Sequence, residues 1–252
     1  MLRPRVIPSL LIHKKGLVKT VQFKNSKYVG DPINAVKIFN EKEVDELIVL
    51  DIDATVEDRS PDFNMIKNLA IECRMPFCYG GGVKTVEEAK KIVQLGAEKV
   101  AFSSAAIKNT QLLKEVGQAI GNQSVVVVLD YKKTGLFNKL ELFINNGQKA
   151  TGIELYDFVK VLNNRNIGEI VLNSIDRDGT MKGYDMHVSK KVREIYDGPL
   201  TLLGGAGKVE DIKEVIDEFK IIGAAAGSLF VFKGKYKAVL INYPPLFEED
   251  NI

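Results

Sequence analysis

The chain has 252 residues, of which 45% are hydrophobic, and a formal net charge of +2. This suffices for one large core, and the small net charge excludes a strong general field for nucleic acid or a membrane surface. No apolar run is long enough to span a bilayer and no secretory signal follows Met1, so the cytoplasm is the expected compartment.

In chain order, strands are expected over residues 6–11, 46–51, 76–79, 99–102, 125–130, 169–173, 200–203 and 223–226. The run Ser124-Val125-Val126-Val127-Val128-Leu129-Asp130 is the clearest: four valines read as a strand covered on both faces, ending on an acid where a loop begins. Helical periodicity fits 32–43, 62–72, 86–95, 111–120, 155–164, 186–196 and 209–219. Asp31-Pro32 supplies an N-cap with proline at the first helical position, and Thr85 precedes Val86-Glu87-Glu88 as a capping box. The tail, 242–250, is expected to be a terminal strap with an acidic end. The two cysteines, Cys73 and Cys78, are too few for a zinc site and are expected as reduced core thiols. Eight strands alternating with helices predict a single (β/α)8 TIM barrel over 1–252, with a doubly wound open sheet as the alternative.

An internal repeat favours the barrel. Leu47-Ile48-Val49-Leu50-Asp51-Ile52-Asp53 resembles Glu169-Ile170-Val171-Leu172-Asn173-Ser174-Ile175-Asp176, and Gly80-Gly81-Gly82 resembles Gly204-Gly205-Ala206-Gly207. The first strand weakly echoes the fifth, which places Leu11 opposite Asp130. The chain thus reads as two half-barrels, about 1–122 and 123–252, whose equivalent loops face each other across one mouth.

Glycine turns that precede helices let backbone N–H groups close on an anion. Gly81 and Gly82 with Ser103 and Ser104, and Gly204 and Gly205 with Gly227 and Ser228, are therefore candidate phosphate sites. One glycine cluster alone is more simply a tight turn; two at equivalent positions point to a ligand phosphorylated at both ends. Asp178 and Gly179 are expected to line the second site, and Asp176 to be structural. The acidic run 176–185 lacks the ligand spacing of a calcium loop, and no metal or cofactor is expected. At the opposite end, Arg5, Glu46, Lys99 and Glu169 stand at strand starts, where two bases and two acids can form a ring.

Asp176-Arg177-Asp178-Gly179-Thr180, Gly183-Tyr184-Asp185, the paired glycine clusters and Gly30-Asp31-Pro32 closely resemble HisF, the cyclase subunit of imidazole glycerol phosphate synthase, over nearly the whole chain. The resemblance implies a barrel fed with ammonia by a HisH glutaminase docked at its bottom, through a gate matching Arg5, Glu46, Lys99 and Glu169. It implies a bis-phosphorylated aminoimidazole ribonucleotide, PRFAR, as substrate, with imidazole glycerol phosphate and AICAR as products. Asp130 matches one of the family's two acid–base aspartates and Lys19 its substrate-loop lysine. Asp51 and Asn173 fall at further substrate positions. The other catalytic aspartate falls on Leu11, which cannot transfer a proton; Asp53 and His13 are the nearest stand-ins. The sister isomerase HisA also uses a two-phosphate barrel, but the strand-six motif follows HisF. Residues 16–20, 27–32 and 45–55 are similar to HisF-like proteins of surface-polysaccharide clusters. Those are thought to pass ammonia to a sugar amidotransferase that makes acetamidino sugars, a role that suits the loss of one acid.

Overall fold

The computed structural model describes residues 3–244. Eight parallel strands close a barrel: β1 (Arg5–His13), β2 (Leu47–Asp51), β3 (Phe77–Gly80), β4 (Lys99–Phe102), β5 (Val125–Thr134), β6 (Glu169–Ser174), β7 (Leu200–Leu203) and β8 (Gly223–Ala226). They pair in sequence order, and the circle is complete because β5 also pairs with β6 and β8 with β1. The open-sheet alternative is thereby excluded.

Seven helices cover the barrel: α1 (Pro32–Glu41), α2 (Phe63–Glu72), α3 (Val86–Gln94), α4 (Gln111–Ile120), α5 (Leu155–Asn163), α6 (Met186–Ile195) and α7 (Val209–Phe219). Both start signals act as expected: Asp31 accepts from Asn34 N at 2.9 Å, and Thr85 and Glu88 make a reciprocal capping box. Helix α1 stops two residues short of the expected 43, because Glu43 takes a positive φ of 51°.

Inside the barrel every strand contributes to one apolar cluster: Ile7, Ile48, Cys78, Ala101, Val126 with Val128, Val171, Leu203 and Ala225. This filled interior is what period-two alternation around a closed sheet must produce. The outward residues of the same strands pack under the helices in a second, larger cluster. Cys73 and Cys78 are free thiols, as expected. In the tail, Asn242 N bonds Phe230 O at 2.9 Å and Tyr243 stacks on Phe230; the rest of the expected strap lies outside the described residues.

Two features were not expected. Strands β1 and β5 run beyond the barrel and each continues as an antiparallel hairpin. After β1 come strands Gly16–Val21 and Lys24–Gly30; after β5 come Lys139–Ile144 and Lys149–Glu154. The expected ends at 11 and 130 are therefore too early, although they mark where each strand leaves the barrel wall. Both hairpins rise from the C-terminal end, one from each half of the chain.

Candidate functional site

A cavity of about 380 Å³ opens at the C-terminal ends of the strands. It is lined by Lys19, Asp51, Asp130, Asn173, Asp178 and Gly179, and by the glycines and serines of both candidate phosphate sites. Leu11 lines it too, from the strand diametrically opposite Asp130. The structure thus brings every expected mouth residue into one space.

Asp130 is the cavity's central polar group. Asn173 Nδ2 donates to its Oδ1 at 2.7 Å and Ser103 Oγ to its Oδ2 at 3.2 Å. Burial raises the carboxyl to about 7; the two hydrogen bonds offset part of that rise. Near neutral pH such a group holds or releases a proton readily, as acid–base work requires. The Asn173 Oδ1 atom is buried without a partner. Around Asp130 the floor is apolar, formed by Leu11, Leu50, Val128, Leu203 and Ala226. Neither expected stand-in reaches it. His13 Nδ1 lies 2.6 Å from Asp53 Oδ1, Asp53 also accepts from Lys14 N, and neither residue lines the cavity.

At the first glycine turn, Gly81 and Gly82 take φ of +124° and +74°. A Cβ on Gly81 would lie 2.5 Å from Asp51 O. The turn thus needs glycine to pass the end of β2, whatever it binds. Asp51 lines the cavity, but Arg59 holds both its oxygens at 2.9 and 3.0 Å, and it accepts from Asp53 N and Ala54 N. Its carboxylate is thus tied to Arg59 and to the turn after β2. Ser104 Oγ accepts from Asn145 N and keeps its own proton to donate.

At the second turn, Gly204 and Gly205 have φ of +92° and +118°, and a Cβ on Gly205 would lie 2.1 Å from Gly183 O. Lys19 reaches this side along Gly227 and ends 2.5 Å from Asp178 Oδ1. Thr20 Oγ1 donates to Asp178 Oδ2 at 2.7 Å, and Phe23 N to the same oxygen at 3.2 Å. Lys19 therefore stands on a hairpin strand fastened to the loop after β6. Asp176 lies outside the cavity, where its carboxylate accepts from Lys133 N at 2.9 Å. Ser228 Oγ is buried without a partner beside this turn.

At the other end of the barrel the four charged residues close a ring. Arg5 bonds Glu46 and, at 2.7 Å, Glu169; Lys99 Nζ lies 2.7 Å from Glu46 and 2.8 Å from Glu169. Burial alone would raise Glu169, but Lys99 and Arg5 together hold it below the ordinary carboxylate range. A fifth member went unread in the sequence: fully buried Thr201 donates to Glu169. Its only sequence signal is a threonine at the second position of an otherwise apolar strand.

A family model described as histidine biosynthesis protein matches residues 5–237. The imidazole glycerol phosphate synthase subunit HisF of Natranaerobius thermophilus is 39% identical over 243 residues, covering 96% of each chain. The chain belongs to the HisF family. Two other relatives are more similar still. The "putative imidazole glycerol phosphate synthase subunit hisF3" of Vibrio vulnificus is 56% identical over 97% of this chain and 94% of its own. The "putative imidazole glycerol phosphate synthase subunit hisF2" of Pseudomonas aeruginosa is 46% identical over 99% of both. Within the barrel, the apolar interior lies between the bottom ring and the mouth.

Proposed function

We propose that the chain is the barrel subunit of a glutamine-dependent synthase of the imidazole glycerol phosphate synthase type. Ammonia enters from a HisH-like glutaminase docked under the Arg5–Glu46–Lys99–Glu169 ring and meets a small molecule phosphorylated at both ends. The reaction carried over from the relatives' names and the sequence resemblance is PRFAR with ammonia giving imidazole glycerol phosphate and AICAR. The observation that carries this reading is Asp130, poised near neutrality between two opposed glycine turns in a single mouth. In this reading Gly81, Gly82, Ser103 and Ser104 hold one phosphate. Gly179, Gly204, Gly205, Gly227 and Ser228 hold the other, with Lys19 beside them on the hairpin that Asp178 fastens. Asp130 moves protons and Asn173 orients it.

Leu11 favours a second reading. An acid–base group contributes roughly 10²–10⁴-fold in rate, and one of the family's two is replaced here by a side chain that cannot exchange protons. In this reading the barrel binds a phosphorylated ligand and relays ammonia to a sugar amidotransferase that makes acetamidino sugars for surface polysaccharide.

The test is PRFAR consumption by the purified chain in excess ammonium at alkaline pH, with Leu11→Asp alongside. Turnover by the unmodified chain at the rate of a competent cyclase supports the first reading. A silent unmodified chain that gains activity on Leu11→Asp supports the second. Silence of both, with no binding of the bis-phosphate, overturns the assignment of the mouth.

A further inference from the structure

A net charge of +2 conceals an uneven distribution. The two hairpins above the mouth span residues 13–30 and 131–154. A third, Phe232–Lys233 with Ala238–Val239, flanks the first: Lys27 Nζ bonds Lys237 O at 3.3 Å and lies 5.2 Å over the Phe232 ring. Together residues 13–30, 131–154 and 232–239 hold twelve lysines, two glutamates, no aspartate and no arginine, so the rest of the chain carries a net acidic excess. Ten of these lysines are exposed; Lys19 is buried and Lys132 half-buried. The two acids are occupied. Glu141 accepts from Gly152 N at 2.6 Å, and Glu154 accepts from Asp157 N at 3.0 Å as the cap of α5. Acids at the rim below are paired as well, Asp53 with His13, Asp58 with Lys84 and Asp185 with Lys133.

The most exposed large apolar side chains among the described residues sit on the outer turns of these hairpins: Leu136 and Phe137 at 97% and 96%, and Tyr236 at 91%. A single apolar residue on a surface needs no explanation. Here two stand side by side on the turn 135–138, between Lys133 and Lys139, and Tyr236 stands between Lys235 and Lys237. Protein interfaces are enriched in arginine and depleted in lysine, and nucleic-acid sites favour the arginine fork. These hairpins have no arginine, although the chain has seven. Bare apolar tips among lysines are instead the pattern of a segment that rests on an anionic bilayer. The tip enters the headgroup layer while the ammonium groups stay at the lipid phosphates.

We propose that this face is a peripheral docking surface for an anionic lipid bilayer, with the turn 135–138 as its inserting tip. The small net charge excludes a general field, whereas these lysines make a local one. The second ribbon rises roughly 13 Å from Asp130 to Thr134, at about 3.3 Å per strand residue. A tip buried about 5–10 Å therefore leaves the mouth open to water. The surface is independent of which reaction the mouth performs.

Co-sedimentation of the full chain with vesicles at physiological salt tests this, using phosphatidylcholine alone and an equal mixture of phosphatidylcholine and phosphatidylglycerol. Binding to the mixed vesicles is expected to be at least about tenfold tighter, since each lysine near an anionic surface contributes about fivefold. Lys139→Gln/Lys235→Gln should weaken it by about tenfold or more, and Leu136→Ser/Phe137→Ser by a similar factor. All four side chains are exposed, and thermal melts verify that the variants fold. The chain has no tryptophan, so Phe137→Trp places a single reporter at the tip. Its emission should shift to shorter wavelength with the mixed vesicles and stay unchanged with phosphatidylcholine alone. No binding to the mixed vesicles, or equal binding to both kinds, overturns the proposal. Binding that survives Leu136→Ser/Phe137→Ser, or a reporter whose emission does not move, overturns it too and leaves a basic face suited to an acidic protein.

Discussion

Lys19 and Asp178 are 159 residues apart in sequence and 2.5 Å apart in the structure, with both residues buried. Their bond fastens the first hairpin, an element of the first half of the chain, to the loop after β6 in the second. Gly179 makes the approach possible: a Cβ there would lie 2.2 Å from Thr20 O.

Removing the acid strands the base. Asp178→Asn leaves a buried ammonium without its counter-charge, a change that costs about 3–5 kcal/mol if the geometry is kept. The cheaper response is for the hairpin to lift and hydrate Lys19. Amide exchange over residues 16–30 is expected to accelerate in the variant while the barrel strands stay protected. Unchanged exchange would show that the hairpin is held by its other contacts.

The buried Asp130 predicts an unusual stability profile. Its folded value of about 7 lies above the ordinary carboxylate value, so the folded state holds the proton more tightly than the unfolded state. Stability from this group is full below about pH 4 and falls as pH rises towards 7. Asp130→Asn, which cannot ionise, is expected to melt higher than the unmodified chain at pH 8, by up to about 4 kcal/mol in stability. The difference should vanish near pH 4. Melting curves across that range check it, and a parallel offset at every pH would contradict it.

The bottom ring predicts the opposite slope. Glu169 is held below its ordinary value, so its contribution is present above the normal carboxylate range and lost as pH falls through the depressed value. Thr201→Val removes the hydroxyl that donates to Glu169 and should cost about 1–3 kcal/mol. Lys99→Met leaves Glu46 and Glu169 with Arg5 as their one remaining ring cation and should cost more. Urea unfolding at pH 7 ranks the two, and a Lys99→Met variant as stable as the unmodified chain would refute the ring's coupling.

The second glycine turn gives a steric prediction. Gly205→Ala combines a φ of +118° with a Cβ 2.1 Å from Gly183 O, whereas Gly152, at +76°, has nothing within 4 Å. Gly205→Ala is expected to destabilise by at least about 2 kcal/mol more than Gly152→Ala, because strain and overlap add. Equal effects in denaturant melts would mean that the turn yields.

The barrel strands were legible because each is a short apolar run between turn or capping residues, and the helices because their apolar spacing is regular. The hairpins were not. Residues 24–28 of the first are all exposed, so no alternation betrays the strand, and its turn uses Gln22 and Phe23 at positive φ instead of glycine. The second did carry a signal: Leu140, Leu142 and Ile144 are buried alternately, and Asn145-Asn146-Gly147 marks the turn. At the site, the mouth residues were readable from repeat-equivalent glycines and strand-end acids. The commitment of Asp51 to Arg59 was not, since it depends on how the turn after β2 folds back. The exclusion of Asp53 likewise needed the position of His13.

The strands that bear Leu11 and Asp130 are the two that leave the barrel as hairpins. Each ribbon is a continuous extension of the backbone that carries its mouth residue, with no loop between to absorb motion. A displacement of either ribbon would therefore be carried into the barrel wall at Leu11 or Asp130.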